Sequence, residues 1–172
     1  APTTTKAKPG CLAVLGATGT IGEQTLEVVR QHQDKFRIIT LSAKKNASRL
    51  IALAREFQPQ LVAIEDEVAG AMVERELSGS CRVVVGTSAI IAAATHPQVH
   101  TVVAAVVGFA GCEAVLAAIE TQKHIALANK ETLVAAGELV MSALAGSSSV
   151  LVPVDSEHSS LFQALRGNPH GA

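Results

Sequence analysis

Residues 11–22 have the sequence CLAVLGATGTIG, a short apolar run followed by a loop that contains three glycines. Beyond the loop, Ile21, Val28 and Val29 recur at helical spacing, which predicts an amphipathic helix over residues 20–32. The glycines therefore stand where the first predicted strand of the chain passes into the first predicted helix.

Each glycine of this loop has a role if the loop binds a dinucleotide. Gly16 would allow the tight turn, Gly19 would let the backbone approach a pyrophosphate, and Gly22 would allow the helix to pack closely on the strand. The helix N-terminus would offer free N–H groups and a partial positive charge to the phosphates. No Gly-Lys-Ser/Thr follows, so the loop is not a Walker loop. We interpret it as a dinucleotide-binding loop; the alternative is a plain glycine-rich turn.

The rest of the chain repeats the alternation of strand and helix. Strands are predicted over residues 11–15, 36–41, 60–65, 81–85, 101–107, 124–128 and 149–154. Helices are predicted over residues 20–32, 46–57, 66–77, 87–95, 110–121, 130–144 and 157–165. The run TVVAAVV at 101–107 is apolar on both faces, as a central parallel strand covered by helices must be. The pattern predicts a Rossmann-like, doubly wound α/β fold with a mainly parallel sheet.

Composition excludes several other classes of protein. The 172 residues are 48% apolar and 17% charged, which excludes a disordered chain. The net charge of −1 gives no general basic surface for nucleic acid. The longest apolar stretch has ten residues, whereas a membrane helix needs about 20. We therefore expect no nucleic-acid partner and no membrane span. Three cysteines without a C-x-x-C pair argue against a disulfide framework and a structural zinc site.

The residues after the second predicted strand favour one dinucleotide over the other. NAD sites usually carry an acidic residue here to bind the ribose 2′-hydroxyl. This chain has Lys44 and Lys45 instead, with Arg49 close behind and no acidic residue from Ser42 to Asn46. Cations would attract the 2′-phosphate of NADP(H). The alternative is a solvated turn before a helix.

Two further motifs follow the last two predicted strands. Asn129 and Glu131 suit the start of a helix as N-cap and first-turn acid, but the cation of Lys130 is disfavoured there and suggests an anionic partner, either a ligand or a carboxylate.

Asp155 and Glu157, separated by one residue at a strand end, would point to the same side of an extended backbone. Two such carboxylates favour Mg²⁺ or Mn²⁺. The alternative is that Asp155 or Ser156 caps the helix over 157–165.

Taken together, the motifs at 16–26, 43–46 (AKKN), 128–133 (ANKETL) and 153–159 (PVDSEHS), with Phe162-Gln163, resemble the 1-deoxy-D-xylulose 5-phosphate reductoisomerase family. The resemblance runs in order from about residue 11 to residue 167. It implies conversion of 1-deoxy-D-xylulose 5-phosphate to 2-C-methyl-D-erythritol 4-phosphate, in the non-mevalonate route to isoprenoids. The family rearranges the carbon skeleton and then reduces the aldehyde with NADPH, using Mg²⁺ or Mn²⁺.

The resemblance also implies roles for individual residues. NADPH would be bound by Thr18, Gly19, Thr20 and Ile21 at the pyrophosphate, by Ala43, Lys44, Lys45 and Asn46 around the 2′-phosphate, and by Asn129 and Glu131. The sugar-phosphate substrate would be bound by Lys130 and Ser156, the metal by Asp155 and Glu157, and Lys130 and Glu157 would be catalytic.

Domain organisation follows from the same resemblance, because the family's chain continues well beyond residue 172. We expect a flexible tail over 1–9, an NADP(H)-binding domain over 10–154, and the truncated beginning of a catalytic domain over 155–172. The isolated chain would then be inactive and would expose apolar surface on the helix over 157–165. A homodimer at full length and a location in bacterial cytoplasm or plastid stroma are also implied. The competing interpretations are a non-catalytic NADP(H)-binding module and another NADP-dependent reductase.

Overall fold

The computed structural model of the chain describes residues 8–154 and 157–166, and it contains one sheet of seven parallel strands. The strands are β1 (Gly10–Leu15), β2 (Phe36–Ala43), β3 (Leu61–Ile64), β4 (Arg82–Val85), β5 (Thr101–Ala104), β6 (His124–Leu127) and β7 (Leu151–Pro153). The helices are α1 (Thr20–Gln31), α2 (Ala47–Phe57), α3 (Glu67–Glu76), α4 (Ala89–Ala94), α5 (Phe109–Glu120), α6 (Lys130–Ala145) and α7 (His158–Leu165). The Rossmann-like α/β fold predicted from the sequence is confirmed.

The strand order is β4-β3-β2-β1-β5-β6-β7, so the chain builds one half of the sheet and then returns to the centre to build the other. The strands β1 and β5 pair in parallel at that point, with Leu12 opposite Thr101 and Leu15 opposite Ala104. In open parallel sheets the crevice at the carboxyl ends of such a central pair is where ligands bind.

Helices cover both faces of the sheet, and the core divides accordingly. One apolar cluster joins the sheet to α1, α2, α3 and α7 through side chains such as Leu26, Leu53 and Val73. The other joins it to α4, α5 and α6 through side chains such as Val115 and Ile119. Burial on both faces explains why the central strands are continuous apolar runs.

Two elements differ from their predicted form. The strand predicted over 101–107 ends at Ala104, and the chain leaves the sheet through Val107 and Gly108, which are exposed. Gly108 has φ +87° and precedes α5, so the apolar run contains a turn as well as a strand. The helix α6 is kinked at Ala136, whose φ of −133° is not helical.

The predicted exposure of an apolar face on the helix over 157–165 is wrong. Leu161 and Leu165 of α7 are buried in the same cluster as α1. Among the described residues the large exposed apolar side chains lie elsewhere: Val68, Met72, Val107, Phe109, Val134, Leu139 and Met141. The division into domains at residues 9 and 154 stays a prediction.

Two reciprocal ion pairs join α1 to α2 on the surface of the first half. Glu23 binds Arg49 near the start of both helices, and Arg30 binds Glu56 near their ends. Glu23 and Arg30 are seven residues apart on α1, and Arg49 and Glu56 are seven residues apart on α2. Since seven residues make about two helical turns, the two ion pairs join the parallel helices at two levels. The hydrogen bonds from Arg49 hold the pKa of the Glu23 carboxyl below its usual value.

Gly22 is the position where α1 lies closest to the first strand and its loop. A Cβ there would lie 2.1 Å from the Gly16 carbonyl oxygen and 2.7 Å from the Ala17 Cα. We expect Gly22→Ala to lower the free energy of unfolding by about 2 kcal/mol or more, because backbone must move. Gly137→Ala in α6 is the matched control, since a Cβ there would meet nothing within 4 Å; it should be neutral or stabilise by about 0.5–1 kcal/mol. Urea unfolding measures both, and equal effects would contradict the close approach.

Candidate functional site

The glycine loop is held against the end of β2 by two hydrogen bonds. The Gly16 N–H donates to Ser42 Oγ at 3.1 Å, and the Ala17 N–H donates to the Ser42 carbonyl oxygen at 2.8 Å. Gly16 has φ +76°, a conformation that favours glycine, so the tight turn assigned to it is confirmed. The loop and the second strand therefore form one rigid wall.

The N-terminus of α1 opens from this wall without a side-chain cap. Gly19 is the N-cap residue, and no side chain accepts a hydrogen bond from the first turn. The Gly19 backbone is extended, with φ −83°, so its conformation does not require glycine. Its lack of a side chain instead leaves the first-turn N–H groups open to an anion. Thr18, Thr20 and Ile21 are exposed or half-buried around it.

A cleft of about 440 Å³ lies at the carboxyl ends of the central strands, within the usual size range of ligand pockets. It is bounded by the glycine loop, the end of β2, the end of β3, residues after β4 and the loop after β5. The lining residues are Gly16, Thr18, Gly19, Ser42, Ala43, Lys44, Ala63, Ile64, Glu65, Thr87, Ile90 and 105–110. The cleft therefore brings together segments that are far apart in sequence.

The turn after β2 contains the lysines predicted to favour NADP(H). Lys44 and Lys45 are exposed; Lys44 lines the cleft, and Lys45 lies at its rim in an adjoining hollow that shares Lys44, Glu65 and Thr87 with the cleft. Within the described residues neither lysine makes an ion pair. Ala43 is buried at the end of β2. Asn46 is the N-cap of α2 and accepts a hydrogen bond from the Arg49 N–H at 3.2 Å. The charge of Arg49 is balanced by Glu23, so the two lysines are the free cations of this turn.

Several lining residues were missed by reasoning from the sequence. Glu65 reaches the cleft from the end of β3, and Thr87 and Ile90 reach it from the segment after β4. Glu65 is an acidic residue near the lysine turn, although it lies outside residues 42–46 in the sequence. The available signal was its position directly after a predicted strand, because all parallel strands end at the same edge of the sheet.

Asn129 joins the start of α6 to the loop after β5. Its Oδ1 accepts a hydrogen bond from the Glu131 N–H at 2.9 Å, and its Nδ2 donates to the Val106 carbonyl oxygen at 3.1 Å. The predicted cap of α6 is therefore present, and the same side chain also positions one wall of the cleft. Glu131 is exposed in the first turn of α6. Lys130 begins this helix, and the placement of its side chain lies outside what the structure describes.

The predicted metal ligands are only partly described. Asp155 and Ser156 lie outside the described residues. Glu157 is the N-cap residue of α7, is exposed, and makes no capping hydrogen bond with its side chain, so its carboxylate is not used by the helix. Within residues 8–154 and 157–166 no group of three metal-ligating side chains comes together. The metal site therefore stays a prediction, with one free carboxylate described.

The fold, the glycine loop and the cleft are those typical of dinucleotide-binding α/β domains. The sequence model of 1-deoxy-D-xylulose 5-phosphate reductoisomerase matches residues 12–137, well over half of the chain. The chain belongs to the 1-deoxy-D-xylulose 5-phosphate reductoisomerase family.

Named relatives agree with this membership. The reductoisomerase of Geobacillus kaustophilus (strain HTA426) is 49% identical over 156 residues, which are 91% of this chain and 41% of that protein. The structure of the Zymomonas mobilis enzyme in complex with NADPH is 38% identical with a TM-score of 0.82, over 90% of this chain and 41% of that one. A reductoisomerase structure with NADPH, fosmidomycin and magnesium is 37% identical with a TM-score of 0.81, over 92% of this chain and 40% of that one.

The chain thus spans about two fifths of the length of the relatives it matches. In the described part of the chain, no helix has the length and apolar character needed to cross a membrane.

Asn129 allows a test of how the start of α6 is joined to the loop after β5. We expect Asn129→Ala to lower the free energy of unfolding by about 1–2 kcal/mol, because α6 loses its cap and the Val106 carbonyl loses a donor. Asn46→Ala is the matched control, since Asn46 is an exposed cap without a second bond to another segment; it should cost about 1 kcal/mol or less. Urea unfolding of both variants measures the difference. A smaller loss for Asn129→Ala than for Asn46→Ala would contradict the joining role.

Proposed function

We propose that this chain binds NADPH as the cofactor-binding part of an enzyme that converts 1-deoxy-D-xylulose 5-phosphate to 2-C-methyl-D-erythritol 4-phosphate. Membership of the reductoisomerase family supports the reaction. The cofactor is supported by relatives of the same family whose structures are complexes with NADPH. In this reaction the substrate is rearranged to an aldehyde, which then accepts a hydride from NADPH, and the metal acts as a Lewis acid.

The observation that carries the cofactor proposal is the pairing of an uncapped helix N-terminus with a lysine turn across one cleft. The first turn of α1 offers backbone N–H groups to the pyrophosphate, with Thr18, Gly19, Thr20 and Ile21 around it. Lys44 and Lys45 stand at the rim beside Ala43 and Asn46, where they would bind the 2′-phosphate. The glycines leave room for backbone to contact phosphate directly.

The second half of the sheet would hold the reacting end of NADPH and the substrate. Asn129 is fixed by its bonds to Glu131 and Val106 beside the cleft, which supports the proposal that it and Glu131 would contact the cofactor. Lys130 follows at the helix start, where its cation would bind the anionic substrate.

A divalent metal fits the donor set proposed for it. Glu157 has a carboxylate that no described side chain or helix amide occupies, and Asp155 lies two residues before it. Hard oxygen donors of this kind favour Mg²⁺ or Mn²⁺. Asp155 and Glu157 would hold the metal, Ser156 would hydrogen-bond to the substrate, and Glu157 would act in catalysis together with Lys130. The homodimer and the cellular location implied by the family resemblance stay predictions.

The cofactor assignment is tested by the affinity of the 172-residue chain for NADPH and NADH. We expect NADPH to bind about tenfold or more tightly, because each charge-assisted contact to the 2′-phosphate contributes roughly 1.5–3 kcal/mol. Lys45→Glu should remove most of this preference. Lys35→Glu is the matched control, since Lys35 is also exposed but lies before β2, at the opposite edge of the sheet. Calorimetric titration measures all six affinities, and equal affinities of the unchanged chain for NADPH and NADH would refute the assignment.

The reaction is tested in a chimaera in which this chain replaces the matching 41% of the Geobacillus kaustophilus protein. We expect NADPH oxidation that requires both 1-deoxy-D-xylulose 5-phosphate and Mn²⁺. Asp155→Asn in the chimaera should lower the turnover severely and leave the NADPH affinity within about twofold, because the metal site is separate from the lysine turn. A chimaera that binds NADPH but never oxidises it with this substrate would favour the alternative, a non-catalytic NADP(H)-binding module.

A further inference from the structure

The two ion pairs between α1 and α2 are both bidentate arginine–glutamate pairs, but they lie at different ends of the helices, and Arg30 also binds Glu27. Arg49 donates from Nε to Glu23 Oε1 at 2.5 Å and from Nη2 to Glu23 Oε2 at 2.8 Å. Arg30 binds both carboxylate oxygens of Glu56 in the same two-pronged way. The Glu23–Arg49 pair lies in the first turns of the two helices, at the carboxyl edge of the sheet. The Arg30–Glu56 pair lies two turns further along, away from that edge.

The Glu23–Arg49 pair connects the two structures that form the proposed phosphate site. The Glu23 N–H donates to the Gly19 carbonyl oxygen at 2.9 Å, so Glu23 belongs to the turn that follows the glycine loop. The Arg49 N–H donates to Asn46 Oδ1, the cap that ends the lysine turn. The side chains of Glu23 and Arg49 therefore link a helix start beside the pyrophosphate to a helix start beside the 2′-phosphate.

The lysine turn is also held on the side away from α1. The Asp66 N–H donates to the Lys44 carbonyl oxygen at 2.9 Å and the Glu65 N–H donates to the Ala43 carbonyl oxygen at 3.2 Å. These bonds hold the turn to the segment after β3. On the side toward α1, the Gly16 and Ala17 N–H groups hold Ser42, two residues before Lys44. Beyond Ser42, the described side-chain hydrogen bonds between the two helix starts are those of Glu23 and Arg49.

We propose that Glu23 and Arg49 are positioning residues for NADPH selectivity: their ion pair fixes the Lys44–Lys45 turn at the distance from the glycine loop that the 2′-phosphate requires. This inference rests on the proposed NADPH function and adds a second role to it. Lys44 and Lys45 bind the 2′-phosphate, whereas Glu23 and Arg49 hold the two lysines in position. Arg49 is not among the residues that line the cleft or its rim, and its guanidinium is already bound by a carboxylate. A direct role as a phosphate ligand is thus disfavoured, although its sequence position suggests one.

The test compares Glu23→Gln with Glu56→Gln in the full 172-residue chain. Both variants remove one carboxylate charge from the same helix pair, at opposite ends. We expect Glu23→Gln to weaken NADPH binding about fivefold and to leave NADH binding within about twofold, since only NADPH has the 2′-phosphate. Glu56→Gln should leave both affinities within about twofold. Thermal unfolding of the two variants controls for stability, which should fall to a similar small extent in both.

The sign of the Glu23→Gln effect separates positioning from direct contact. If Arg49 bound the 2′-phosphate itself, removing its competing carboxylate would free the guanidinium and NADPH would bind more tightly. If the pair positions the turn, NADPH binds less tightly even though a negative charge has been removed. The exchanged pair Glu23→Arg with Arg49→Glu should recover a large part of the NADPH preference that Arg49→Glu alone loses.

Three results would overturn the inference. The first is tighter NADPH binding in Glu23→Gln, and the second is an equal loss of NADPH affinity in Glu56→Gln. The third is an unchanged ratio of NADPH to NADH affinity in both Glu23→Gln and Arg49→Gln. If these occur while the unchanged chain still prefers NADPH, the proposed function stands and only the positioning role fails. Equal affinities of the unchanged chain for the two cofactors would refute both.

Discussion

The contact between Gly22 and the Gly16–Ala17 backbone is the constraint on which the binding cleft depends. No side chain fits there, because a Cβ would lie 2.1 Å from a carbonyl oxygen. The helix α1 can therefore lie directly against the end of β1, and its N-terminus opens at the carboxyl edge of the sheet. Since Ser42 also holds the loop to β2, the helix start, the loop and the second strand are held together by direct backbone contacts and hydrogen bonds. A phosphate placed at this N-terminus would meet amides that are already oriented.

The cleft is made by the two halves of the sheet in different ways. The first half supplies the glycine loop, the lysine turn and the ends of β3 and β4, which suit the adenosine and phosphate part of a dinucleotide. The second half supplies the loop after β5, whose Val106 carbonyl is bound by Asn129. That bond joins the start of α6, which carries the ANKE motif, to the same cleft. The proposed reaction chemistry thus lies on segments that are separate from those proposed to select the cofactor.

Sequence reasoning succeeded where the signal was local. All seven strands and seven helices were predicted because each carries its own periodicity and its own breaker residues. The tight turn at Gly16 and the cap at Asn129 were predicted for the same reason, since both depend on a few neighbouring residues. The exit of the chain after Ala104 was missed because Val106 and Val107 continue an apolar run that looks like strand.

What could not be predicted depends on residues far apart in the chain. Arg49 was assigned to the free cations of the lysine turn, but Glu23, 26 residues earlier, binds it. Glu65 enters the cleft only because β3 pairs with β2. The burial of Leu161 and Leu165 follows from the return of α7 to α1, which no local pattern indicates. Interhelical pairs and strand order are tertiary facts, and one sequence carries little information about them.

The most direct measurement is a crystal structure of the 172-residue chain grown with NADPH. The cleft described here predicts that the pyrophosphate lies on the first-turn N–H groups of α1 and that the 2′-phosphate lies within hydrogen-bond distance of Lys44 or Lys45. It also predicts that Arg49 remains bound to Glu23. An NADPH molecule whose pyrophosphate lies away from the glycine loop, or whose 2′-phosphate is bound by other residues, would contradict this account of the site.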